Sequence, residues 1–117
     1  MNGMEQETAN GSTLIRLRGE VDLSWSQQVR RAVLDALAGS RRVGVELSAV
    51  SYIDSSGIAA LVEGFQNART QGRGFALVAV SDAVRSVLEL ARLDRVFPIV
   101  ADAEAIPDVT GAPVWKS

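Results

Sequence analysis

Two short segments of this chain carry hydroxyls and carboxylates at spacings that could do chemistry. Asp54-Ser55-Ser56-Gly57 stands where a loop gives way to an amphipathic pattern, so its serines fall at the start of a helix. A helix N-terminus carries partial positive charge and unpaired backbone N–H groups, and a phosphate on a serine hydroxyl there would meet both. Gly57 would let a partner's backbone approach closely. Asp and Ser are also the favoured helix caps, and the same tetrapeptide reads as a plain helix start ahead of Ile58. The second segment, Gly19-Glu20-Val21-Asp22, closes a strand just before another helix, and by itself it is a turn with incidental acids.

The rest of the composition argues against catalysis. Histidine and cysteine are absent, and the single lysine, Lys116, is one residue from the end of the sequence. Acid/base work at neutral pH usually uses His, and a serine nucleophile usually needs His or Lys as its base. A P-loop requires Gly-Lys-Ser/Thr, and no such triplet occurs. Ser56 and Ser86 are therefore poor hydrolase nucleophiles, and the protein is expected to bind other proteins and not to be an enzyme. Without cysteine there are no disulfides or thiolate metal sites, and no residue asks for a cofactor or a metal. The net charge is -2 and the arginines are spread from Arg16 to Arg95, which argues against nucleic acid. The longest unbroken apolar run, Phe75 to Val80, is far too short to span a membrane, and no signal-like segment opens the chain. The expected place of action is the cytoplasm.

The elements that must position the two segments follow from patterning. With 117 residues, 47% of them hydrophobic, the chain has the size of a single domain covering 1–117. Alternation predicts strands at about 4 to 8 and 13 to 19, joined by Asn10-Gly11, a strong hairpin signal because both residues tolerate positive φ. Ser24-Trp25-Ser26-Gln27 has capping-box spacing, and Trp25, Val29, Ala32, Val33, Ala36 and Leu37 form a helical stripe that stops at Gly39. Val43 to Leu47 reads as a strand before a loop at 48–53, and Ile58, Leu61, Val62, Phe65 and Ala68 as the buried stripe of the next helix. Phe75 to Val80 is a fully apolar strand, expected at the sheet centre, and Ser81 and Asp82 cap a third helix. Val96 to Val100 contains Pro98 and belongs at an edge. Pro107, Gly111 and Pro113 leave 101–117 as an irregular tail with room for one helical turn near Asp102 to Ile106. The fold class is α/β, a mixed sheet with an N-terminal hairpin and helices packed against it.

Gly19-Glu20-Val21-Asp22 and Ile53-Asp54-Ser55-Ser56-Gly57-Ile58, separated by one helix and one strand, together resemble the anti-sigma-factor antagonists, the STAS domains. The resemblance spans about Met4 to Val100. It implies that Ser56 is phosphorylated by a partner that is both anti-sigma factor and serine kinase, that Asp22 lies near the phosphorylated loop, and that a phosphatase resets the cycle. Asp54, Ser55 and Gly57 would shape the docking surface with Asp22. Trp25, at the start of the first helix, either packs inward or serves as an aromatic anchor for the partner. The same domain type also serves as an accessory subunit of lipid-transporting ABC systems, where it would dock on transporter subunits without phosphorylation.

Overall fold

The computed structural model describes residues 2–109. Strand β1 (Gly3–Ala9) pairs antiparallel with β2 (Ser12–Val21) through the turn Asn10-Gly11, whose φ values are 54° and 80°. Helix α1 (Leu23–Gly39), β3 (Arg42–Ile53), α2 (Ser55–Gln71), β4 (Gly74–Val78), α3 (Asp82–Leu90) and β5 (Ile99–Val100) follow in turn. The sheet order is β1-β2-β3-β4-β5, with every pair after the hairpin parallel.

The core lies between one face of this sheet and the helices. Ile15, Leu17, Val43, Val45, Leu47, Phe75 and Leu77 alternate inward and meet Val29, Val33 and Leu37 of α1, Leu61 and Phe65 of α2, and Val84 and Leu88 of α3. Phe65, Phe75 and Phe97 form an aromatic trio with ring centroids 5.5 to 6.4 Å apart. On the other face Ile106 packs over Ala76, Val78 and Leu14, so the segment after β5 covers part of the sheet that the helices leave open. The predicted turn in that segment is a 3-10 helix, Ala103–Ala105, capped by the Asp102 side chain. Trp115 and Pro113 lie outside the described residues.

Several boundaries differ from the sequence reading. β3 runs on to Ile53, through the stretch expected to be a loop, because Val50 and Ile53 continue to face the core across register shifts against β2. β3, not β4, is the middle strand, although every residue of β4 is buried. The predicted strand at 96–100 shortens to two residues after Pro98, at the expected edge. Helix α1 starts at Leu23, capped by Asp22 and not by Ser24. A charged carboxylate is the stronger acceptor for free helix amides, and the Ser24 hydroxyl itself donates to it.

Candidate functional site

Val21 of β2 pairs in register with Ile53 of β3, and the two parallel strands lie about 4.8 Å apart. The next residue of each, Asp22 and Asp54, thus leaves the sheet side by side, and each caps the helix that follows. Their backbones match closely, with φ, ψ of -110°, -174° at Asp22 and -106°, -172° at Asp54. Asp22 Oδ1 accepts from the Ser24 amide at 3.0 Å and the Ser24 hydroxyl at 2.6 Å. Asp54 Oδ1 accepts from the Ser56 amide at 2.9 Å, the Ser56 hydroxyl at 2.6 Å and the Gly57 amide at 3.1 Å. A backbone bond from Asp54 N–H to the Val21 carbonyl, 3.2 Å long, ties the second cap to the end of β2. Farther along, Arg30 of α1 makes a two-pronged ion pair with Glu63 of α2, at 2.8 and 2.7 Å.

The Ser56 hydroxyl holds the Asp54 carboxyl below the usual carboxylate range; the amides of Gly57, Ser56 and Leu23 add to this, and partial desolvation opposes it. Because folding lowers this pKa, the stability it contributes is complete above the unfolded value and is lost as pH falls through the lower folded value. At neutral pH Asp54 is therefore an anion, and it fixes the Ser56 hydroxyl with its proton turned toward the carboxylate.

The family model for the STAS domain matches residues 4–106 of this chain. The chain belongs to the STAS domain family. A curated relative, the anti-sigma F factor antagonist of Paenibacillus polymyxa, is 26% identical over 98 residues, covering 82% of this chain and 84% of the relative. Among solved structures, an anti-sigma factor antagonist from Mycobacterium paratuberculosis superposes with a TM-score of 0.78 at 24% identity, covering 89% of each chain. The Bacillus cell fate determinant SpoIIAA in its phosphorylated form superposes at 0.70 with 21% identity, covering 87% of this chain and 94% of that one. Among the described residues, no helix of the STAS domain is long and apolar enough to cross a membrane.

The STAS fold brings Asp22, Asp54, Ser55 and Ser56 to one end of the sheet, at the C-terminal ends of β2 and β3. Ser55 is exposed and Ser56 half-buried. One choice is decided and one expectation changes. Trp25 is only 8% exposed and belongs to the core, so of its two expected placements it takes the inward one and not that of a partner anchor. Gly57 is buried as well, and the backbone that approaches it closely is the domain's own: a Cβ there would stand 2.6 Å from the Val21 carbonyl oxygen. The sequence reading missed Leu23, which is 73% exposed beside Asp22, and the twin role of Ser24. The repeated Asp-x-Ser in Asp22-Leu23-Ser24 and Asp54-Ser55-Ser56 was a usable signal for the second of these.

Its capping role gives Asp22 a structural duty beside any contact with a partner. Asp22→Ala is expected to lower unfolding free energy by about 1 kcal/mol, the usual cost of losing an N-cap, while Asp22→Asn keeps most of it. Chemical denaturation of the two variants measures the difference. Equal stability of Asp22→Ala and wild type would remove the cap from the account.

Proposed function

We propose that this STAS domain is a phosphorylation-switched antagonist of an anti-sigma factor. With Ser56 free it binds an anti-sigma factor that is also a serine kinase, so releasing a sigma factor; with Ser56 phosphorylated it lets the kinase go, and a phosphatase restores it. The protein is substrate and ligand in this cycle, not catalyst, and the cycle runs in the cytoplasm. The observation that carries the reading is the Ser56 hydroxyl, half-buried at a helix start and held 2.6 Å from an ionised Asp54 beside the Asp22 cap. Relatives named as anti-sigma factor antagonists, one of them solved in a phosphorylated form, support it.

In the transfer, Ser56 Oγ attacks the γ-phosphorus of ATP bound to the kinase. The Oγ–P bond forms, the bond from phosphorus to the β,γ-bridging oxygen breaks, ADP leaves, and the hydroxyl proton passes to a catalytic base of the kinase. With the Ser56 proton directed at Asp54, a lone pair of Oγ is turned away from the carboxylate toward the incoming phosphorus. Asp54 acts here as a positioning residue, since its lowered pKa makes it a weak base. The decisive experiment incubates the protein with ATP and purified host anti-sigma factor kinases and maps the phosphate by mass spectrometry. One phosphoryl group on Ser56 is expected; phosphate on Ser55 alone, or none with any kinase that binds, overturns the reading.

A further inference from the structure

Leu23 is 73% exposed, yet it is the first residue of α1 and sits between the Asp22 cap and Ser24. The residues after it turn inward, Trp25 and Ser26 both being buried, so Leu23 adds little to the core. Its surroundings are those of the acceptor serine. The Asp22 cap just before it leaves β2 beside Asp54, whose amide donates to the Val21 carbonyl and whose carboxylate takes the Ser56 hydroxyl. Leu23 thus stands one strand end away from the hydroxyl assigned to phosphorylation. Tyr52, 50% exposed, comes up on β3 opposite Glu20, two residues before Asp54. Of the five large hydrophobic residues exposed among the described residues, these two lie within two positions of Asp22 or Asp54; Leu90, Val96 and Val109 lie elsewhere in the chain.

Three carboxylates stand near Leu23 along the chain or across the strand pair: Glu20 and Asp22 at the end of β2 and Asp54 after β3. Arg18 precedes them on β2, and Arg30, farther along α1, is paired with Glu63. An apolar side chain beside these carboxylates is complementary to a pocket with an apolar floor and a basic rim, the arrangement of an interface hot spot with electrostatic steering around it.

We infer that Leu23 is the apolar anchor of the partner-binding face, inserting into a basic-rimmed hydrophobic pocket of the anti-sigma factor kinase. This rests on the antagonist reading and names a contact within it. Leu23→Ala should bind the purified kinase about tenfold more weakly or worse, as hot-spot truncations do, with an unchanged thermal midpoint. Leu90→Ala, which removes a leucine 87% exposed at the end of α3, should bind like wild type. Added salt should weaken wild type and Leu23→Ala with the same slope, and Asp22→Asn with a shallower one. If wild type binds and is phosphorylated while Leu23→Ala binds equally well, or Leu90→Ala fails equally, the anchor is wrong and the antagonist reading stands. If wild type neither binds nor is phosphorylated by any host anti-sigma factor kinase, both fall.

Discussion

Ser56→Ala is expected to abolish phosphoryl uptake, and Ser56→Asp to weaken kinase binding about tenfold or more while the fold stays as it is. The first outcome needs only the loss of the accepting oxygen. The second follows from what already occupies the start of α2. A phosphoserine adds about -1.5 to -2 charges, and a helix N-terminus usually favours negative charge by roughly 0.3 to 1 kcal/mol. Here, however, the Ser56 and Gly57 amides are taken by Asp54, and the Asp22 cap stands on the neighbouring strand end. New negative charge must displace Asp54 or point outward. In either case repulsion stays within the first turn of α2, and a concentrated negative field appears on the docking face. A partner shaped for a neutral hydroxyl must desolvate that charge or withdraw. Amide resonances should therefore move for residues 54 to 60 and stay in place through β4 and α3, with an unchanged far-UV spectrum. Shifts spread through residues 74 to 90 would replace this electrostatic switch with a conformational one.

Much of this arrangement was legible before the structure, where local physics decides it. The hairpin is set by Asn10-Gly11, because the turn demands positive φ at both positions and these residues supply it. The stripes of α1 and α2 follow the 3.6-residue period and are buried nearly as expected. What could not be read locally depends on partners distant in sequence. The stretch at 48–53 looks like a loop until β2 lies beside it, because register shifts break the alternation by which a strand is recognised. Trp25 could have faced either way, and which way it faces depends on a core made by five other elements. The pairing of Asp22 with Asp54 is a matter of parallel register, set by Val21 opposite Ile53 across 32 residues of chain. Family resemblance put the two acids near each other, whereas no spacing rule within either motif could have done so. The same register explains the error over Gly57, a residue that looks like access for a partner only while the end of β2 is left out of view.

Gly57→Ala tests that packing by the sign of its effect. Gly57 lies in the first turn of α2 without a positive φ, and on helix propensity alone alanine would be the better residue by up to about 1 kcal/mol. The surroundings argue the other way. A Cβ at this position would lie 2.6 Å from the Val21 carbonyl oxygen, 2.6 Å from Ile53 Cγ1 and 2.9 Å from Val21 Cγ1. Two of these neighbours are buried side-chain carbons, and the third is a backbone oxygen that accepts the Asp54 amide, so relief requires α2 to move away from β2. Overpacking of this kind costs about 1 to 3 kcal/mol and outweighs the gain in propensity. Gly39→Ala at the end of α1 is the control: no described atom lies within 4 Å of a Cβ built there, so it should be neutral or mildly stabilising. The expected result is a lower denaturation midpoint for Gly57→Ala only. It should come with slower phosphorylation, because a displaced first turn carries the Ser56 hydroxyl away from Asp54 Oδ1. A Gly57→Ala protein as stable as wild type and phosphorylated at the same rate would mean that the contact with Val21 does not hold the acceptor serine in place.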